Sequence, residues 1–178
     1  MITYLPQEKK IFCTILLSIF VICCGAQKTT NTENTPSQTQ SAHTDEKTIL
    51  QEDLAQILGV DRKNTPRLTK IAYSTPENGD ITITWSLQRY STPALTESNA
   101  QIDAVNILKT LKKNKTRYIY VILIGMFPPS IANNNSTEQE VLNLGFNKSR
   151  LGKVNWEEFP SSDVFNLADV AFIADDWR

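Results

Sequence analysis

Three carboxylate pairs are the densest catalytic raw material in this 178-residue chain: Glu157-Glu158, Asp175-Asp176, and Glu138 with Glu140. A glycosidase needs two carboxyl groups flanking a cleft at a set separation, one to supply a proton and one to act as base or nucleophile. Neighbouring residues on a strand point to opposite faces, so a sequential pair does not make that constellation by itself. The pairs therefore read as solvated surface acids. A carboxylate-dependent hydrolase of cell-wall glycan remains the alternative activity that they allow.

Other chemistries lack their usual parts. The three cysteines, Cys13, Cys23 and Cys24, all lie in the first apolar stretch, so nothing downstream offers a thiolate for catalysis, a zinc ligand or a disulfide. The one histidine, His43, sits in a polar spacer, which leaves a triad or a histidine general base without its central residue. Asp175-Asp176 can donate oxygen ligands, but no Asp-x-Asp-x-Asp-Gly loop accompanies them. The six glycines are scattered singly and form no phosphate-cradling loop. No catalytic residue, metal or cofactor is expected. Eighteen basic against nineteen acidic side chains leave no field to gather a polyanion, so nucleic acid is not an expected partner.

The residues left for function are those of contact surfaces. Asn133, Asn134 and Asn135 lie in a polar loop between two strand-like segments. Trp156 and Trp177 stand in polar surroundings, the first beside Glu157 and the second between Asp176 and Arg178. Loop residues and amphipathic aromatics are the usual material of partner contacts. These five are the candidate contact residues, with an envelope protein or an envelope polymer as the partner.

The N-terminus supplies an address. Lys9 and Lys10 precede the apolar run Ile11 to Cys24, and the small residues Gly25 and Ala26 follow, the order of a secretory signal. A run of this length falls short of the roughly 20 apolar residues needed to cross a bilayer. Val21-Ile22-Cys23-Cys24 resembles a lipobox with Cys24 as the lipidated residue, although Cys23 occupies the place of the usual small residue. Cys24-Gly25-Ala26 also suits an ordinary signal peptidase, and an uncleaved anchor is the third outcome. The domain is thus expected to be exported to the cell envelope, held at the membrane by a lipid or an N-terminal anchor, or else released.

Residues 27–46 are dominated by Ser, Thr, Asn and Gln and bury too little apolar surface to offset their ordering entropy, so a disordered tether is expected. The remaining stretch, 47–178, must supply the fold. Leu50, Leu54, Ile57 and Leu58 recur at helical spacing before Gly59. Leu68 to Ser74, an Asn78-Gly79 turn, and the alternation Ile81, Ile83, Trp85, Leu87 predict a hairpin. Ala104, Ile107, Leu108 and Leu111 predict a helix over 97–113, with Ser98 and Gln101 at capping-box spacing. Lys109, Lys112, Lys113, Lys115 and Arg117 gather at its end, where they complement the helix dipole or meet an anion such as a lipid headgroup.

Tyr118 to Phe127 is apolar without alternation, which predicts a central strand covered on both faces. Pro128-Pro129 ends it, and a partner strand returns from about Glu138 through Leu142, Leu144 and Phe146. Ser149 to Val154 suits one helical turn, and Val164, Leu167, Ala168 and Ala171 suit a last helix capped by Asp163. The sum is a single α+β domain with a four-stranded, mainly antiparallel sheet and flanking helices, preceded by a signal at 1–26 and a linker at 27–46.

Three stretches, Ile81 to Leu87, Asp103 to Leu108 leading into Tyr118 to Phe127, and Lys153-Val154-Asn155-Trp156 followed by Asn166-Leu167-Ala168-Asp169, resemble secreted or membrane-tethered bacterial α+β domains of no assigned activity. The resemblance spans about residues 70–175 and includes no catalytic signature. It implies a fold and a compartment, and no functional residue. The expected function is a tethered or secreted envelope domain that binds or assists and does not catalyse.

Overall fold

The structure is a computed structural model that describes residues 38–75, 79–128 and 137–174, with side chains from residue 46 onward. The signal at 1–26 with Cys24, most of the linker, Asn133 to Asn135, Asp175-Asp176 and Trp177 lie outside the described residues.

The chain is α+β. Its elements run α1 (Gln38–Leu58), β1 (Leu68–Tyr73), β2 (Ile81–Ser86), α2 (Pro93–Lys113), β3 (Tyr120–Phe127), β4 (Gln139–Asn147), α3 (Lys148–Leu151), a 3-10 turn (Ser161–Asp163), α4 (Val164–Leu167) and β5 (Val170–Ile173). The helix expected from Thr48 begins ten residues earlier, inside the stretch assigned to the tether. After Pro36 no proline or glycine interrupts the chain before Gly59, so nothing stops the helix from extending. Gly59 ends α1 in the left-handed conformation, φ +65°, with its N–H on the Ala55 carbonyl at 2.9 Å.

The sheet has five strands in the order β1-β2-β3-β4-β5, one more than expected. It is also mixed, because β2 and β3 run parallel at its centre while the other pairs are antiparallel. The reason is α2. A helix between two neighbouring strands returns the chain to the end from which it started, so they must run the same way.

The extra strand replaces the end of the expected last helix. Val164, Leu167, Ala168 and Ala171 are helically spaced, but Ala168 is extended and the Asp169 N–H is captured by the Gly145 carbonyl of β4 at 2.8 Å. Val170–Ile173 then pairs with β4. Asp163 stands at the start of α4 but makes no side-chain cap there.

Helix α2 starts four residues before the expected Glu97. Its cap is Thr92, whose Oγ1 accepts the Leu95 N–H at 3.2 Å, with Pro93 at the first helical position. The side chains of Ala100, Ala104, Ile107, Leu108 and Leu111 are buried on its inner face and meet Leu50, Leu54 and Leu58 of α1 in the core.

Register separates the two faces of the sheet. Ile71, Ile83, Leu123, Leu144 and Ala171 form one row across all five strands, and Tyr73, Ile81, Val121 and Phe146 form another. Apart from the exposed Ala171, both rows face the helices and the core. Burial along β3 alternates strictly, so this strand is covered on one face and not on two as expected. Its unbroken apolar sequence therefore places isoleucine and methionine on the opposite face.

One polar network lies within the core. Arg67, 8% exposed, donates from Nε to the Ser86 carbonyl at 3.0 Å and from Nη1 to the Leu58 carbonyl at 3.2 Å. Its guanidinium pairs with Asp103 of α2 through both carboxylate oxygens, and the Trp85 indole N–H reaches the same carboxylate at 3.3 Å. The last carbonyl of α1, the end of β2 and the middle of α2 are thereby tied to one side chain.

Candidate functional site

The face of the sheet turned away from the core is open among the described residues. Its rows are Lys70, Thr84, Ile124, Asn143 and Phe172, then Ala72, Thr82, Ile122, Gly145 and Val170, with Ser86, Met126 and Glu140 at the near end. The β1-β2 side is polar apart from Ala72, and apolar groups come from β3 and β5, with Asn143, Gly145 and Glu140 of β4 between them. On β5, Val170 is 59% and Phe172 is 52% exposed. Strand β5 is also an outer strand, and its first three residues are exposed on both faces of the sheet. An exposed, apolar edge of this kind is a feature that monomeric proteins usually cover.

Tyr120 shapes this face. A Cβ at position 145 would stand 2.9 Å from two atoms of the Tyr120 ring, so the ring lies directly over Gly145. The opposite face holds the equivalent close approach at Gly125, where a Cβ would meet Leu87 Cδ1 at 2.9 Å and Leu142 Cβ at 3.1 Å. Each glycine lets a neighbour reach the sheet backbone.

Of the acid pairs singled out by the sequence, Glu140 and Glu158 have local partners, and Asp175-Asp176 lie outside the described residues. Glu140 accepts from Asn143 Nδ2 at 3.0 Å and Glu158 from Asn155 Nδ2 at 2.8 Å. Asp169 pairs with Arg150 Nη1 at 2.8 Å and accepts the Asn147 N–H at 2.7 Å. The Arg150 hydrogen bond, then that N–H, hold the Asp169 carboxyl below its ordinary range, which disfavours the protonated form a general acid requires. Among the described residues, no three of His, Cys, Asp and Glu gather where they would hold a metal ion.

Trp156 does not occupy the surface position expected for a contact residue. It is 4% exposed, it meets Phe159 edge to face at 5.4 Å, and it belongs to the core. Its polar sequence neighbours face outward from an irregular segment while the ring turns in. Of the basic cluster, Lys113 pairs with Asp53 of α1 at 3.2 Å. No helix among the described residues is long and apolar enough to cross a membrane.

Sequence reading missed Val170 and Phe172. Their alternation with Ala171 and Ile173 is the one available signal, and four residues are too few to set a period of two against the helical spacing they also fit. No protein-family model, curated protein or solved structure matches the chain.

Proposed function

We propose that this chain is an exported, membrane-tethered domain that acts by binding a partner protein and not by catalysis. The observation that carries the reading is the open face of the sheet, where Ile122, Ile124 and Met126 of β3 and Val170 and Phe172 of β5 flank Asn143 and Gly145 of β4, with Thr82, Thr84 and Lys70 on the far side. Apolar side chains interleaved with polar ones are the ordinary composition of a non-obligate protein-protein contact. A polysaccharide would instead call for several aromatic platforms and converging polar groups, and this face offers Phe172 in its rows and the Tyr120 ring over Gly145. The signal-like segment and the polar stretch after it support export and tethering.

The outer edge of β5 favours a partner that adds a strand there, with main-chain hydrogen bonds for affinity and Phe172 and Val170 for specificity. A photo-crosslinking residue placed at 172 or 170 of the full chain, expressed in its own host, is expected to give one discrete adduct common to both positions. The same residue at Ile102, an exposed apolar position on α2, is expected to give none. Equal labelling at 102, or no protein adduct at 170 and 172, would remove the sheet face from this reading. Turnover of purified cell-wall glycan by the full chain would overturn the non-catalytic assignment.

A further inference from the structure

Helix α2 ends in a Schellman arrangement, with the Thr116 N–H on the Leu111 carbonyl and the Lys115 N–H on the Lys112 carbonyl, both at 3.1 Å. The residue that this ending forces into the left-handed region is Lys115, at φ +51°, where glycine or asparagine is usual. A side chain with a Cβ is disfavoured there, and strained positions of this kind gather where a side chain serves binding. The helix dipole does not call for it, because Lys112 and Lys113 already occupy the last turn.

Lys115 stands at the rim of a cleft of about 250 Å3 between α2 and α3. Leu111, Tyr118, Leu151 and Trp156 line it as an apolar floor, and Lys112, Lys115 and Lys148 supply three ammonium groups. Lys148 is positioned by its own contacts, with Nζ 5.0 Å from the centre of the Tyr118 ring and donating to the Thr116 carbonyl at 3.3 Å. No carboxylate lines the cleft among the described residues. None of the residues of the open sheet face lines it either, so the site is separate from the one proposed above.

We infer that this cleft binds a single-chain anionic amphiphile, a fatty acid, with its chain against the floor and its carboxylate among the three lysines. The charge of the rim selects an anionic head, and the leucine and aromatic floor selects an apolar tail. The volume lies just below the roughly 300–1,000 Å3 of ordinary ligand pockets, which suits one acyl segment and not the paired tails of a bilayer lipid. The site is also concave, whereas insertion into a bilayer surface calls for apolar groups that protrude.

The test uses the full chain in phosphatidylcholine nanodiscs, titrated with decanoate against empty nanodiscs and read by NMR at the Trp156 indole N–H and the Leu151 methyl groups. Saturable shifts of both signals are expected, with no matching response to decyltrimethylammonium. Lys115→Gly should raise the Tm of the ligand-free protein by relieving the left-handed strain, and yet weaken decanoate binding by about fivefold, the weight of one exposed charge pair. Lys148→Ala should weaken binding to a similar degree. A more stable Lys115→Gly protein with unchanged decanoate affinity would overturn the proposal, as would equal binding of the cationic amphiphile. If phosphatidylglycerol nanodiscs shift the same signals without decanoate, the cleft meets the bilayer surface and the fatty-acid assignment fails.

Discussion

Arg67 and Asp103 form an ion pair inside the protein, with side chains only 9% and 13% exposed, although 36 residues separate them in the chain. Two charges withdrawn from water in this way are held by mutual attraction and by the Leu58, Ser86 and Trp85 groups that complete their hydrogen bonding. Asp103→Leu leaves the guanidinium without its counter-ion and is expected to cost about 3–5 kcal/mol. Arg67→Met combined with Asp103→Leu should cost clearly less than the sum of the single changes. Urea unfolding of the four proteins measures the coupling, and strict additivity would show that the pair is not a unit.

The start of α2 at the Thr92 cap sets it against the capping-box spacing read at Ser98 and Gln101. Thr92→Ala removes the hydroxyl that accepts the Leu95 N–H and should cost about 1 kcal/mol. Ser98→Ala lies within the helix and should change stability by less than about 0.5 kcal/mol. Thermal or urea unfolding distinguishes the two, and the reverse order would restore the shorter helix.

Gly125 and Gly145 should respond differently to the same added methyl group. At Gly125 the Cβ meets Leu87 and the backbone-fixed Cβ of Leu142 in the packed interior, so Gly125→Ala is expected to destabilise by about 1–3 kcal/mol. At Gly145 the obstacle is the far end of the Tyr120 side chain, which can swing away over the open face. Gly145→Ala should therefore cost less and should alter the environment of the Tyr120 ring, as read by its NMR signals.

Asp169 gives the protein an acid-sensitive contact. Its folded-state pKa is depressed, first by the Arg150 hydrogen bond and then by the Asn147 N–H, so its contribution is present above the ordinary value of 3.8. As the pH falls below 3.8 and through the lower folded-state value, the carboxylate is protonated and the contribution is lost. Asp169→Asn should flatten this part of the curve of stability against pH while leaving its shape above about pH 6 unchanged. Denaturant midpoints from pH 2 to 7 provide the check.

The parts of the fold that the sequence predicts are those in which period and burial agree over many residues. The inner face of α2 and the alternation Ile81, Ile83, Trp85 of β2 are each explained by one partner layer. β3 is misread because the face away from the core carries Ile122, Ile124 and Met126 where solvent would ordinarily select polar groups, so apolar sequence on both faces does not report burial on both. β5 is misread because four residues satisfy two periods. The Arg67–Asp103 pair has no local signature, since each is a single charged residue whose partner comes from another element. Trp156 misleads for the same reason, because polar neighbours in an irregular segment do not report which way a ring turns.

The parallel pairing of β2 with β3 also divides the domain by assembly order. On one side lies the β1-β2 hairpin and on the other the β3-β4-β5 meander, each joined through antiparallel neighbours in sequence. Only the seam between them requires the whole of α2 to be spanned before the first cross-strand bond forms, and loop-closure entropy falls on that step. Until the seam closes, the edges of both half-sheets stand open, so chaperones or pairing partners that recognise unpaired strands have the longest access at β2 and β3, the strands that finish in the middle.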